Sequence, residues 1–154
     1  MDEFNLGRQI AVLARLWRWE LDNRLQPLDL SQARYVLLVL LSEAHGPLAQ
    51  SDLADRAGIS GPTLVRHLDH LQSHGLIERL DAPGDRRVKH VCLTDTGRRH
   101  CRSAQNIAAA LREELVAPFP PDMIEQSQQM LQDLKESLEA MRNGNAPDGN
   151  GSHE

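Results

Sequence analysis

Residues 51–94 read SDLADRAGISGPTLVRHLDHLQSHGLIERLDAPGDRRVKHVCLT, and they determine the fold of the chain. The first part predicts a short helix over Ser51–Ala57, because its apolar residues share one face. Gly58 lies where this helix would end, and the segment Gly58–Gly61 forms a tight turn. A second helix follows almost at once, which is the spacing of a helix-turn-helix.

The second helix is predicted from Pro62 to about His74. Proline suits the first turn of a helix, where its missing N–H needs no partner, and Ser60 or Gly61 can cap that turn. One face of the helix is apolar at helical spacing, with Leu64, Leu68 and Leu71. Gly75 ends the helix.

Two strand-like runs follow, over Leu76–Leu80 and Val88–Leu93. Between them, residues 81–87 (DAPGDRR) form a charged segment rich in turn-forming residues. Helix, turn, helix and hairpin together predict a mainly α fold, an α+β winged helix-turn-helix. In such a fold the second helix can enter a major groove of DNA, and the hairpin, the wing, can reach a backbone or a minor groove.

Two further helices precede this stretch. The first runs from about Glu3 to Leu25, and Pro27 stops it. Its apolar face is formed at helical spacing by Leu6, Ile10, Leu13, Trp17 and Leu21. The second begins at Ser31, a residue suited to an N-cap, and ends before Gly46.

The helix that begins at Ser31 contains the run Tyr35–Leu41, which is apolar all round and predicts a fully buried central helix. The β-branched residues of this run make a strand the competing prediction, but the flanking residues extend it to helical length. Pro47-Leu48-Ala49 is expected to add a short third strand beside the wing.

Two more helices follow the hairpin. Thr94 caps a long one that reaches Val116, and Pro121 opens a last one that runs to about Met141. The last helix carries a short heptad-like seam of Ile124, Ser127, Leu131, Leu134, Leu138 and Met141. Residues 143–154 are polar and rich in glycine and asparagine, so we expect them to be disordered.

The chain thus divides into an N-terminal dimerisation arm (1–30), a winged helix-turn-helix lobe (31–94), C-terminal dimerisation helices (95–142) and a disordered tail (143–154). The apolar stripes of the arms are larger than a small winged helix can cover alone. The two ends most simply pack together and against a second copy, which predicts a two-fold homodimer.

The composition fits a helical protein, since 40% of the 154 residues are hydrophobic and only 3% are aromatic. The two cysteines, Cys92 and Cys101, form no disulfide framework, so we expect a cytoplasmic protein that joins the nucleoid when it binds DNA. No apolar run approaches the length of a membrane span, and the N-terminus lacks a signal-peptide pattern.

The net charge of −5 argues mildly against nucleic-acid binding. The basic residues gather in or just after residues 51–94, however, and a locally basic surface is enough to bind phosphate. Side chains at the start of the second helix of this stretch can reach base edges, although a merely solvated face is the alternative. The candidate DNA-binding residues are Ser60, Pro62, Thr63, Arg66, His67, Arg86, Arg87 and Lys89.

In the wing, Asp85 and Arg87 lie two residues apart on an extended strand, so both side chains can point the same way. The carboxylate would then support Arg87 by holding its guanidinium in one rotamer, which lowers the entropy lost on entering a narrow minor groove. Arg86 and Lys89 would contact phosphates. The alternative is a charged hairpin edge that prevents aggregation.

These segments resemble the MarR family of dimeric bacterial transcription regulators at 60–66 (SGPTLVR), 68–71 (LDHL), 75–79 (GLIER), 85–87 (DRR) and 93–94 (LT). Residues 15–18 (RLWR) and 22–30 (DNRLQPLDL) resemble the SlyA branch more narrowly, and the whole resemblance covers nearly all of residues 4–142. It implies a winged-helix homodimer, a near-palindromic operator and often an anionic aromatic ligand, such as salicylate, that alters DNA affinity.

Four residues are candidates for binding such a ligand. Arg15 and Arg18 lie three apart on the first helix and share a face, and guanidinium groups bind carboxylates in a forked geometry. Tyr35 offers a ring and a hydroxyl. The resemblance implies that these residues and Arg66 lie near the cleft between the dimer arms and the DNA-binding lobe. The alternative is that the arginines pair with acidic residues or with the partner chain.

Neither a metal nor a cofactor is predicted. His90 and Cys92 alternate on one strand face as a possible ligand pair, but no third and fourth ligand follows at a recognisable spacing. Cys101 fits an apolar helix stripe and is expected in the core.

The leading prediction is a regulator, a repressor or an anti-silencer, that binds double-stranded DNA sequence-specifically as a homodimer and is released by an aromatic carboxylate. The runner-up is a winged-helix protein-interaction module without DNA binding, which the net charge of −5 favours. An enzyme is not predicted, because no nucleophile elbow, phosphate loop, metal triad or paired-carboxylate site is present in the sequence.

Overall fold

The computed structural model of the chain describes residues 5–144. The chain divides into two compact units, Met1–Leu111 and Arg112–Glu154. The tail predicted to be disordered over 143–154 lies outside the described residues, except for its first two residues. Those two belong to the last helix, which ends at Gly144 and is therefore longer than predicted.

Six helices and three strands make up the described chain. In order they are α1 (Leu6–Leu25), a 3₁₀ turn (Gln26–Leu28), α2 (Gln32–Glu43), β1 (Leu48–Ala49), α3 (Gln50–Ala57), α4 (Gly61–Ser73), β2 (Ile77–Ala82), β3 (Asp85–Leu93), α5 (Asp95–Val116) and α6 (Pro121–Gly144). The predicted mainly α winged helix-turn-helix is confirmed.

The core of the first unit consists mostly of leucine side chains from α1 to α5. The predicted apolar face of α4 is confirmed, since Leu64, Leu68 and Leu71 are buried. The other large side chains that are almost fully buried are Leu21, Leu25, Leu37, Leu38, Leu53, Ile77, Val91, Cys101 and Leu111. Burial of this apolar surface is the main force that fixes α4 in position.

The prediction that α2 is buried on all sides was wrong. Leu37, Leu38 and Leu41 are buried, whereas Tyr35 and Val39 are only half-buried against the core. A domain of this size covers one face of most of its helices rather than the whole circumference.

The three strands form an antiparallel sheet in the order β1-β3-β2. The predicted third strand is confirmed, because Leu48 pairs with Val91 of β3. The tip of the wing is shorter than the predicted segment 81–87, since Ala82 pairs directly with Asp85. Pro83 and Gly84 alone make the turn, and Gly84 has a positive φ of 80°, a conformation that glycine adopts without steric cost.

The wing and α4 are joined to the start of α5 by hydrogen bonds from one residue. The Thr94 hydroxyl donates to the carbonyl of Gly75 at 2.6 Å and accepts from the Gly97 N–H at 2.9 Å, which confirms Thr94 as a helix cap. Gly97 packs so closely that an added Cβ would lie 1.9 Å from the Leu76 carbonyl oxygen. The geometry of the winged helix therefore depends on this contact.

Two helices expose much of their apolar surface. On α1, Leu21 is buried, but Leu13 is 64% exposed, so only the end of the predicted apolar face packs within the first unit. On α6, the predicted seam is largely open to solvent, with Leu138 65% exposed. Within residues 5–144, no helix combines the length and the apolar character needed to cross a membrane.

Candidate nucleic-acid interface

The start of α4 is built as predicted, with Ser60 rather than Gly61 as its cap. The Ser60 hydroxyl accepts the backbone N–H of Thr63 at 3.3 Å and donates to the Thr63 hydroxyl at 2.9 Å. Pro62 occupies the first turn, where no N–H is needed. Because Ser60 already donates its hydroxyl proton within the cap, donation from Ser60 to DNA would compete with it, whereas the Thr63 hydroxyl still has its own proton to donate.

Arg66 and His67 follow on α4, outside the leucine face. Arg66 is exposed and His67 is half-buried. Burial, followed by the nearby positive charges of Arg34 and Arg66 and by His70, lowers the pKa of His67 below its ordinary value. His67 is therefore neutral at neutral pH, where it can give or accept a hydrogen bond but adds no charge.

Asp85 and Arg87 make the contact that the spacing in the wing predicts. The Asp85 carboxylate accepts the Arg87 backbone N–H at 2.9 Å and its Nε–H at 3.3 Å. The Arg87 side chain is nevertheless 92% exposed. Asp85 thus holds the Arg87 backbone and one edge of its guanidinium group, while the remaining N–H groups of the guanidinium face solvent.

Lys89 and Arg86 differ in what surrounds them. The Lys89 ammonium pairs with Asp81, the residue directly opposite on β2. Arg86 is exposed and lies three residues before Lys89, hence on the other face of the strand. A phosphate would have to compete with Asp81 for Lys89, whereas no cross-strand carboxylate pairs with Arg86 among the contacts described for the wing.

An ion pair that the sequence did not point to links α4 to the wing. Arg79 on β2 donates to the Asp69 carboxylate of α4 at 2.6 Å, and also to the Val65 carbonyl at 3.4 Å. Only 20% of the Arg79 side chain is exposed. The two elements that carry the candidate DNA-binding residues are therefore tied together by a partly desolvated contact, and Arg79 acts as a positioning residue.

The four candidate ligand-binding residues lie on three helices of the first unit. Arg15, Arg18 and Arg66 are exposed, and Tyr35 packs in part against the core. The acidic neighbours on α1 have other partners, since Glu20 pairs with Arg24 at 2.7 Å and Asp22 accepts the Gln32 N–H at 2.6 Å. Ligand binding by the four residues stays a prediction.

A cavity of about 220 Å³ lies elsewhere in the first unit and contains none of these four residues. It is lined by Leu41, Ser42, Ala44, Leu93, Arg98, Cys101, Arg102 and Gln105. Burial raises the pKa of the Cys101 thiol, which is 1% exposed and belongs to the core as predicted. The thiol is therefore less reactive at neutral pH than that of an exposed cysteine.

Comparison with known proteins places this geometry in a family. The MarR family model matches residues 30–89, from the start of α2 to the wing. The crystal structure of the transcriptional regulator PA3341 is 38% identical, covers 88% of this chain and 98% of its own, and superposes with a TM-score of 0.76. This chain belongs to the MarR family.

Structures of MarR from E. coli are also similar. The apo form is 26% identical over 86% of this chain and 98% of its own, with a TM-score of 0.77. A mutant of MarR complexed with operator DNA is 28% identical over 87% of this chain and 99% of its own, with a TM-score of 0.76. This MarR-family protein is a DNA-binding transcriptional regulator, which confirms the leading prediction at that level.

Proposed function

We propose that this MarR-family regulator is a repressor or anti-silencer that binds a near-palindromic operator as a homodimer. The proposal rests mainly on two exposed arginines that lie on two elements joined by an ion pair. Arg66 projects from α4 and Arg87 from the wing, and the Arg79–Asp69 ion pair couples those elements. Family membership favours DNA binding over the alternative of a protein-interaction module.

Uncovered apolar surface supports the dimer. Monomeric proteins rarely expose large apolar patches, and a second copy is the simplest cover for the exposed apolar side chains of α1 and α6. The large apolar residues exposed on α1 are Ile10, Leu13, Leu16 and Trp19, and those on α6 are Met123, Met130, Leu131, Leu138 and Met141. We assign dimerisation to residues 1–30 and 95–142, and DNA binding to residues 31–94.

In the proposed complex, the two α4 helices enter successive major grooves about 10 base pairs apart. Pro62, Thr63, Arg66 and His67 face base edges and the flanking phosphates. The wings reach the adjacent minor grooves through Arg87, and the phosphates through Arg86 and Lys89. Asp85 supports Arg87 and does not contact DNA itself.

An aromatic carboxylate, salicylate for example, is the proposed effector. Arg15 and Arg18 would pair with its carboxylate, and Tyr35 would contact its ring. Because Arg66 belongs to both sets, a ligand that recruits it would remove it from DNA directly. A ligand that favours a different separation of the two DNA-binding lobes would also weaken operator binding.

The test is selection from a randomised duplex library with purified protein, followed by binding to the selected duplex over a salt series. We expect enrichment of a near-palindrome and an affinity that falls steeply with salt, because a dimer with two wings displaces several counterions. Enrichment of a single half-site would contradict the palindromic dimer. Affinity that is insensitive to salt would contradict phosphate anchoring through the arginines.

Titration of salicylate into the operator complex tests the effector. We expect release by the wild-type protein and a weaker response when Arg18 is replaced by Ala. Release that is identical in both proteins would remove Arg18 from the proposed ligand site.

A further inference from the structure

Three ligand-type side chains converge between the loop after the 3₁₀ turn and the second half of α4. They are Asp29, His70 and His74, and their ligand atoms all lie within 4.8 Å of one another. The Asp29 Oδ2 atom lies 3.4 Å from His70 Nε2 and 2.7 Å from His74 Nε2. The three residues belong to the first unit, and none of them is among the candidate DNA-binding residues.

The two histidines are arranged to act on the same atom. His70 lies in the last turn of α4 and His74 is the C-cap residue four positions later, the spacing at which helical histidines chelate a metal ion. Their rings stack with centroids 4.2 Å apart and planes inclined by 25°. Both Nε2 atoms lie near the Asp29 carboxylate, and His70 Nε2 also lies 3.4 Å from the Asp29 backbone oxygen.

The hydrogen bonds of His74 fix which of its nitrogens is available. Its Nδ1 atom lies 2.8 Å from the His70 carbonyl oxygen, which can only accept, so Nδ1 carries the proton. In a neutral imidazole, Nε2 then offers a lone pair, yet it faces the Asp29 carboxylate at 2.7 Å. A separation of 2.7 Å needs a cation between the two atoms, either a proton on Nε2 or a metal ion that takes its place. A backbone carbonyl that orients the far nitrogen is also the usual outer partner of a metal-bound histidine.

The position of Asp29 is fixed by its backbone. Its φ of 53° makes it the non-glycine residue with positive φ among residues 5–144, and its N–H donates to the Gln26 carbonyl at 2.9 Å. Aspartate and asparagine tolerate this conformation better than most side chains. The loop therefore presents a carboxylate, 66% exposed, towards the histidine pair while leaving room for water as a further ligand.

We propose that Asp29 Oδ2, His70 Nε2 and His74 Nε2 form a binding site for a divalent transition-metal ion of the Zn²⁺ class. Two imidazoles and one carboxylate suit this class, whereas Mg²⁺ and Ca²⁺ take oxygen ligands. Ligand atoms about 2.1 Å from a tetrahedral ion lie roughly 3.4 Å apart. The Asp29–His70 pair already has this separation, and the exposed side chain of His74 has room to move by the remaining distance of about 0.7 Å.

Occupation of the site would connect the segment that follows α1 to α4. His70 and His74 lie one and two turns beyond Arg66, so the ion would restrain the helix that carries this arginine. Metal binding should therefore change the affinity for the operator, and this expectation depends on the proposed function. Metal binding itself does not, and it can be measured without DNA.

The experiment is titration of chelator-treated, tag-free protein with Zn²⁺ by calorimetry and with Co²⁺ by visible absorption. We expect one ion per chain and Co²⁺ bands without the intense thiolate charge-transfer absorption that Cys92 would produce. Asp29→Asn keeps the backbone conformation and removes the charge, and His74→Gln removes one nitrogen ligand. Each should weaken binding at least tenfold, whereas His45→Gln, which removes an exposed histidine outside the cluster, should leave it unchanged.

Several outcomes would overturn the site. If the wild-type protein binds no Zn²⁺, a proton rather than a metal ion bridges the cluster. If wild type, Asp29→Asn and His74→Gln bind Zn²⁺ equally, the ion is held elsewhere. A loss in His45→Gln as large as in the cluster variants would also contradict it. Circular dichroism of each variant shows that the fold is intact. If Zn²⁺ binds but operator affinity is unchanged, the site stands and its regulatory consequence does not.

Discussion

At the tip of the wing, Asp85 binds the backbone N–H and the Nε–H of Arg87, and the end of the Arg87 side chain is left exposed. We predict that Arg87→Ala weakens operator binding on the order of 100-fold, about tenfold for each of two wings. The dimer should persist, because the side chain is almost fully exposed. Fluorescence anisotropy with the selected operator measures the loss, and sedimentation checks the dimer.

A matched variant distinguishes the effect of removing a positive charge at Arg87 from the effect of removing one anywhere on the protein. Lys135→Ala removes one exposed positive charge from α6 and should change affinity little. Asp85→Asn should give an intermediate loss, since it frees the Arg87 side chain without removing it. Equal affinities for Arg87→Ala and the wild type would take the wing out of the DNA-binding mechanism.

Cys101 differs from Cys92 in reactivity because of burial. Since burial raises the pKa of the Cys101 thiol, its thiolate is scarcer than that of an ordinary cysteine near pH 8. We predict that iodoacetamide modifies Cys92 at least tenfold faster, as followed by mass spectrometry with the Cys92→Ser variant as control. Because the folded state disfavours the thiolate, Cys101 lowers stability only as the pH rises above about 8.5. Comparable rates at pH 8 would contradict its burial.

Single residues show what the sequence could and could not predict. The Asp85–Arg87 contact and the leucine face of α4 depend on near neighbours, so strand and helix spacing was enough to find them. The Asp29 cluster was missed because Asp29 precedes His70 by 41 residues, a separation that no local pattern reports. The Arg79–Asp69 ion pair was missed for the same reason, since it joins two elements across the fold.

Among the elements, the start of α5 is the most sensitive to an added atom. We predict that Gly97→Ala destabilises the protein by about 2 kcal/mol or more, because its Cβ would lie 1.9 Å from a backbone oxygen of Leu76 that has no rotamer to change. Thermal unfolding should show a fall in Tm of several degrees. Gly61→Ala is the control, since its Cβ would meet nothing within 4 Å and alanine favours a helix. Similar Tm values for both variants would show that α5 shifts freely.

The ends of helices that a single capping residue determines were predicted correctly. The ends of the wing strands, which depend on cross-strand pairing, were missed. Ser31, Ser60 and Thr94 cap their helices as their side chains suggest. The wing, by contrast, was predicted with a tip of seven residues, because its charges suggest a loop. Cross-strand pairing extends the two strands to Ala82 and Asp85 instead, and a pattern of polar and apolar residues does not report such pairing.

For the whole molecule, the apolar stripe of α6 carries the strongest prediction. Truncation after Pro118 removes α6, including Leu131 and Leu138, which lie seven residues apart on one helix face and are 50% and 65% exposed. We predict that the truncated chain is monomeric, because a stable dimer buries on the order of 1,600 Å² and the apolar side chains that remain exposed on α1 would supply only part of that area. Sedimentation velocity at micromolar concentration measures the change.

A chain shortened to end at Gly144 is the matched control for this truncation, since it retains all of α6 and should remain dimeric. The substitutions Leu131→Glu and Leu138→Glu in the full chain test the same face without deleting the helix, and they should also give monomers. Monomers should bind the selected operator with the affinity of a single half-site, because the second α4 is no longer held one helical turn away. A dimer that survives both the truncation and the paired substitutions would assign dimerisation to the exposed apolar face of α1 alone.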